Sequence, residues 1–359
     1  MQPKISVIIP CWHSTEYLDK LYENIQSQTF KEAEWIFVND GDVSQKETLQ
    51  SMAEKDPAIR VIWKENGGAS SARNVGLEEA RGEWIVFSDA DDSFRSYYLE
   101  SLYSAVKDSD ADIAIGGYTE YNSTEKTYHP YLIDIEEDKI SAMNLRSAML
   151  TITRSTTLLT PWCKIYKASI IKDNNLRFDI SLKVDEDAMF NMEYYYHSKK
   201  VQLIKDCGYI YIVIDTTSLT SIYQPKRGQN SLRLLYAYRK VLNKNNFTAD
   251  ETKRLMASMA VGEINAIIYN IFKRNHPPFR QAIKEIKEYA LRNKELMNYF
   301  SDYKKFNKLS RGEKYRFFAM NTGSATIIFF MFKPVFWLRY KLPKFYVKLN
   351  SLFLRQKKQ

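Results

Sequence analysis

A chain of 359 residues, 45% apolar and 26% charged, has ordinary globular composition, enough for two domains or one large domain with appendages, and is not a disordered or fibrous polymer. Its three cysteines, Cys11, Cys163 and Cys207, lie far apart without a Cys-x-x-Cys pair, which argues against a disulfide framework or a zinc site and fits a reducing cytoplasm. The formal net charge is +9, but 21 Lys and Arg against 5 Asp and Glu fall between Ile271 and Gln359, so the surplus sits at the C-terminal end and points to a polyanionic partner there.

The first 120 residues alternate strand and helix signals. ISVIIP predicts a strand at the very start, with no charged segment and long apolar core before it, so no signal peptide is expected. Leu18, Leu21, Tyr22 and Ile25 follow at helical spacing. EWIFVND is the second strand, and Ser44 with Glu47 reads as a capping box opening a helix through Leu49 and Met52. IRVIW is the third strand, and SSARNVGLEEA predicts a helix ended by Gly82. EWIVFSD is the fourth strand, Leu99, Leu102, Tyr103 and Val106 mark a further helix, and DIAIGGY is the fifth strand. This rhythm predicts an α/β fold, a mostly parallel central sheet with flanking helices, whose ligands bind beyond the carboxyl ends of the strands. From about Gln224 helical patterns take over, such as Leu232 to Leu242 and Leu255 to Ile271, with a break at Pro277 and Pro278.

FSDADDS places Asp89, Asp91 and Asp92 within four positions at a strand end. Such carboxylates repel one another and need a positive partner. A divalent metal is the simplest one, because Mg²⁺ and Mn²⁺ take oxygen ligands and share a few carboxylates with substrate phosphates. The plainer reading is an acidic turn that caps the next helix.

ISVIIPCWHSTEYL, SQTF, WIFVNDGD, NGGASSARNVGL, ARGEWIVFSDADD and VDEDAMF occur in that order. Together they resemble the family 2 glycosyltransferases, inverting enzymes with the GT-A fold and a nucleotide-sugar donor, over about residues 3 to 220. The resemblance implies a GT-A catalytic domain at residues 1–223, of a Rossmann-like type. A helical region at 224–313 and a basic, aromatic-rich tail at 314–359 would follow. It places Pro10 near the nucleotide. It also places Asp40, in Asn39-Asp40-Gly41-Asp42 where the family usually has Asp-Asp-Gly-Ser, against the uracil ring. Asn66, Gly67 and Ala90 are implied on the nucleotide-sugar, and Gly67 and Gly68 would either let the backbone approach it or form a plain turn. Arg73 is implied beside the diphosphate, with a surface ion pair to Glu78 or Glu79 as the alternative. Asp89 and Asp91 match the pair that holds Mn²⁺ or Mg²⁺, with Asp89 also toward the donor. Asp187 matches the general base and Glu186 its fallback. Asp92, Trp162 and Lys164 are implied on the acceptor side, Asp92 either binding sugar or orienting the metal-binding pair, and Trp162 either stacking on a sugar or serving as a core tryptophan. TTSLTS resembles a stretch often preceded by a basic residue, but Asp215, Thr216 and Thr217 stand there, so no third metal ligand is matched onto this loop.

The implied reaction is metal-assisted transfer of a sugar from a nucleotide-sugar, UDP favoured, to a hydroxyl of a glycan or lipid-linked glycan, of bacterial surface-polysaccharide type. The alternative is a catalytically silent nucleotide-sugar-binding or scaffold protein. Nucleic-acid binding is set aside, since no DNA or RNA motif accompanies the basic tail. The uncharged run from Phe317 to Phe332 is 16 residues, short of the roughly 20 that span a bilayer. Phe345, Leu349, Leu352 and Phe353 would share one helical face, with Lys341, Lys344, Lys348 and Arg355 toward the other. That pattern predicts a helix lying on an anionic membrane surface, with an ordinary packed helix bearing a solvated basic face as the alternative. The expected location is therefore cytoplasmic, peripheral on the inner face of the membrane.

Overall fold

The computed structural model describes residues 2–135, 142–152, 156–213 and 222–342. The chain divides into two compact units, Met1–Thr217 with Lys240–Phe247, and Ser218–Arg239 with Thr248–Gln359.

The first unit opens with β1 (Ile5–Cys11), α1 (Thr15–Gln26), β2 (Ala33–Asp40), α2 (Lys46–Lys55), β3 (Ile59–Lys64), α3 (Ala69–Glu79) and β4 (Trp84–Phe87). It continues with β5 (Ser93–Phe94), α4 (Tyr98–Val106), β6 (Ile113–Asn122), β7 (Thr127–Tyr131), β8 (Met143–Asn144) and α5 (Leu145–Ile152). Then come β9 (Lys164–Lys167), α6 (Ala168–Asp173), α7 (Glu186–His197) and β10 (Lys200–Val213). The sheet runs in the order β3-β2-β1-β4-β9-β6-β10-β5. β1, β2 and β4 are apolar runs almost wholly buried, as strands covered by helices on both faces must be. β1 is parallel to both β2 and β4, and β2 to β3. The chain reverses its direction of travel across the sheet between β1 and β4, so a switch point opens beyond Cys11 and Phe87. β9 enters between β4 and β6 and is antiparallel to both.

Two local expectations are corrected. Ser44 does not cap α2, whose N-cap position is Gln45 without a side-chain cap; a single 3₁₀ turn, Val43–Gln45, precedes the helix, and Asp42 caps that turn, accepting from the Ser44 amide at 2.9 Å and its hydroxyl at 2.7 Å. α2 starts at Lys46, so Ser44 stands one residue before the capping position, and its hydroxyl donates to Asp42 instead. Gly82 does not end α3, which stops at Glu79; its amide instead donates to the Ser6 hydroxyl at 2.8 Å, in a seat where any Cβ would lie 2.6 Å from the Ser6 nitrogen.

The helical region comprises α8 (Arg227–Lys244), α9 (Ala249–Asn270), α10 (Phe279–Glu285), α11 (Lys294–Phe306), α12 (Arg311–Asn321) and α13 (Ala325–Lys341). Thr248 with Glu251 and Ser310 with Glu313 form complete capping boxes at α9 and α12. Pro277 and Pro278 stand just before α10, as their missing amides require. Among the described residues no helix is long and apolar enough to cross a membrane. The amphipathic pattern expected around Phe345 to Phe353 lies outside the described residues, as do Asp215, Thr216 and Thr217.

Candidate active site

The site begins where β1, β2 and β4 run out. Pro10 pairs in register with Val38, and Asn39 and Asp40 end β2 beside Trp63 and Lys64 of β3. The Asn39 side chain closes the turn in both directions, donating to the Asp42 carbonyl at 2.8 Å and accepting from the Asp42 amide at 2.8 Å. Asp42 in turn accepts from the His13 amide at 3.0 Å, so the β1 and β2 loops are tied together. Its hydrogen bonds, first that of Ser44, hold its carboxyl down at about 2.

Asp40 is buried and forms a latch. Its oxygens accept from the amides of Gly67 at 3.0 Å and Gly68 at 2.7 Å and from Lys64 Nζ at 2.5 Å, while Asn66 donates to its carbonyl at 3.0 Å. Gly41 and Gly68 permit this geometry, with φ of 83° and 85°, in the left-handed region that side chains avoid. The amides of Gly67 and Gly68 are thus taken up by Asp40, in the turn that was the alternative to a close approach to a ligand. A carboxylate has about four lone-pair positions, so Asp40 keeps room for one further donor. Lys64, unnamed by the sequence reading, was discoverable as a charge at a strand's carboxyl end.

Arg73, on α3, is the cation that the acidic cluster requires. It donates to Asp89 Oδ1 at 2.8 Å and to Asp187 Oδ1 at 2.8 Å, and lies 3.5 Å from Glu186 Oε1. It is buried, with its guanidinium 5.3 Å over the Phe178 ring. Burial works against its charge, but Asp187, Asp89 and Glu186 more than offset that and raise its pKa. The alternative of a surface pair with Glu78 or Glu79 is excluded by this burial; Glu79 binds Arg60 instead. One residue therefore joins the acidic strand end to the Glu-Asp pair at the start of α7.

The carboxyls around Arg73 are poised unequally. Loss of water pushes Asp187 well above the ordinary carboxylate range; Arg73 pulls it back, and Glu186 and Asp89 push it further up. Glu186 is raised for the same first reason and is likewise opposed by Arg73. Asp91 is exposed at the rim, yet the protein around its carboxyl and then the charge of Asp89 push it up to about 6. Ala90 between them is buried.

The three residues implied on the acceptor side are buried and have partners within the chain. Asp92 is buried, accepting from the Tyr209 hydroxyl at 2.6 Å and the Ile212 amide at 2.9 Å, and so pins the acidic loop to β10. Trp162 stacks on Tyr209 at 5.2 Å and Tyr211 at 5.4 Å, a core tryptophan. Lys164 is buried and donates to the carbonyls of Thr157 and Thr160; burial lowers its pKa to about 7, with Cys163 and Asp187 opposing. Asn191 holds the Thr160 carbonyl too, at 2.9 Å. Tyr209 also receives the Asp89 amide at 3.3 Å. Nothing in its local sequence marks it, because the partner lies 120 residues away.

Among the described residues no group of three or more His, Cys, Asp or Glu is arranged to hold a metal. Asp89 and Asp91 offer hard oxygen donors one residue apart, the number that Mg²⁺ or Mn²⁺ takes from protein when phosphate oxygens complete the shell.

Comparison with known proteins bears on this geometry. The sequence pattern of the Glycosyl transferase family 2 matches residues 6–174. Glycosyltransferase GlyA of Streptococcus pneumoniae is 34% identical over 58% of this chain, which spans 30% of GlyA's length. Glycosyltransferase GlyG of the same species is 30% identical over 59% of this chain and 71% of its own. In fold the chain is similar to S. aureus TarS 1-349, solved in complex with UDP-GlcNAc, with a TM-score of 0.61, 21% identity, and coverage of 84% of this chain and 91% of that one.

Proposed function

The chain belongs to glycosyl transferase family 2, and from that premise we propose that it moves a sugar from a nucleotide-sugar, UDP-linked by preference, to a hydroxyl of a glycan or lipid-linked glycan. The observation that carries this reading is the Arg73 bridge between Asp89 and Asp187, which sets a candidate base beside a candidate donor site. The acceptor hydroxyl gives its proton to Asp187 as its oxygen attacks the anomeric carbon. The bond from that carbon to the diphosphate breaks on the opposite side, so configuration inverts. A base with a raised pKa is well matched to this task near neutral pH. Arg73 holds the Asp187 carboxylate in place and keeps it from swinging away.

Asp89 and Asp91 would hold Mn²⁺ or Mg²⁺, which when bound supplies positive charge to the departing diphosphate. Asp91 enters that role with little internal compensation, since Arg73 reaches Asp89 and not Asp91 within hydrogen-bond distance. Uridine is favoured because Asp40 keeps one acceptor position for a base N–H, and because TarS, similar in fold, was solved with UDP-GlcNAc. Incubation with a panel of nucleotide-sugars and Mn²⁺, following nucleoside diphosphate release, tests the reading. Release from one sugar nucleotide, lost in Asp187→Asn, is the expected result. No release from any of them, with or without glycan acceptor, overturns it.

A further inference from the structure

The last described helix is apolar on both sides. α13 turns Ile328, Phe332 and Phe336 inward, all at most 5% exposed, and Phe336 packs on Tyr269 at 5.0 Å and Phe272 at 4.8 Å. The opposite face presents Ile327, Phe330 and Trp337, which are 47%, 56% and 56% exposed, with Lys333 among them. Helical spacing gathers these four positions on about one third of the circumference. Phe279, 45% exposed, lies 5.7 Å from the Phe330 ring and extends the patch onto the start of α10, where Arg280 is exposed as well. Contiguous exposed apolar surface of this kind marks an interaction site.

We propose that this face of α13, with Phe279, docks in the interface of an anionic lipid bilayer without crossing it. Charge selects the occupant. After Glu313 the sequence has ten Lys and Arg and no Asp or Glu, and five of the ten follow residue 342. A second copy of this chain would set those cations against their equals, whereas anionic headgroups complement them. Trp and Phe beside Lys and Arg is the residue mixture that settles at headgroup depth. α13 has 17 residues, and no described helix is long and apolar enough to span, so on a bilayer it lies along the surface. The docking stands whether or not the first unit transfers a sugar.

The test is flotation of the full chain with vesicles of phosphatidylcholine alone and with one third phosphatidylglycerol. The wild type should float with the anionic vesicles. High salt should release it in part, because screening shortens charge attraction but leaves ring insertion intact. Phe330→Ser with Trp337→Ser should lower the bound-to-free ratio at least about tenfold, with unchanged circular dichroism, since both side chains are exposed. Lys333→Gln should lower it by about fivefold. A wild type that ignores anionic vesicles overturns the proposal. So does a double variant that floats like the wild type, which would move binding to residues 343–359. Concentration-dependent self-association of the wild type in sedimentation, abolished in the double variant, would make the face a contact between copies and also overturn it.

Discussion

Arg73 bonds carboxylates 16 and 114 positions away in the chain, and its geometry depends on a fork. Lysine carries the same charge at one point and cannot hold both. Arg73→Lys should therefore keep the fold but cut turnover by about 100-fold, measured as nucleoside diphosphate release. Asp187→Asn keeps the shape and cannot take a proton, so turnover should drop by about 10² or more while donor affinity is nearly unchanged. A variant turning over at the wild-type rate would move the base to Glu186. Asp91 sets a pH dependence. With its carboxyl near 6, Mn²⁺-dependent binding of uridine diphosphate should be flat above about pH 7 and weaken about tenfold per unit below 6. Calorimetric titration of wild type and Asp91→Ala reads this out, and equal affinity in the two would remove Asp91 from the metal site. Stability follows the opposite sign. The folded chain holds this proton to higher pH than the unfolded chain, so the stabilisation is present at low pH and is lost as pH rises from about 4 to 6. Asp91→Asn should be more stable than wild type to urea at pH 7.5, and the gap should close near pH 4.

Elements differ in how plainly the sequence announced them. β1, β2 and β4 were readable because strands buried on both faces are continuous apolar runs. β9 was not: KIYK is four residues with a lysine at each end, and Lys164 is buried only because the carbonyls of Thr157 and Thr160 receive it. β5 is two residues, and what orders it is the partner strand β10. The latch of Asp40 on the loop between β3 and α3 is an interaction between elements too. Asp40→Asn would turn an amide donor toward the Gly67 or Gly68 amide and remove the charge that Lys64 meets. The cost should be about 2–3 kcal/mol in chemical denaturation, from charge-assisted bonds lost in a buried place. A smaller loss than about 0.5 kcal/mol would mean that the loop holds its shape without Asp40.

At the scale of the whole molecule, the proposed function requires the loops after β1, β2 and β4 and the start of α7 to form a single footprint, and hydrogen exchange can draw it. Uridine diphosphate with Mn²⁺ should slow exchange at residues 12–14, 40–42, 88–92 and 185–188. It should add little at Gly67 and Gly68, whose amides Asp40 already holds. Protection confined to the helices from α9 onward would place the ligand elsewhere. The sequence alone determined the α/β architecture, the helical region after it and the identity of the acidic groups, because burial periodicity and strand-end charge are local properties. It also supplied Asp89, Asp91, Glu186 and Asp187 as candidates through their order along the chain. Only the tertiary structure decided which of them meet, that Arg73 is the shared cation of Asp89, Glu186 and Asp187, and that Asp92, Trp162 and Lys164 face inward. The physical reason is that a side chain's partner and its access to water depend on distances through space. Arg73 meets Asp187, and Tyr209 meets Asp92, across more than a hundred residues that no local pattern reports.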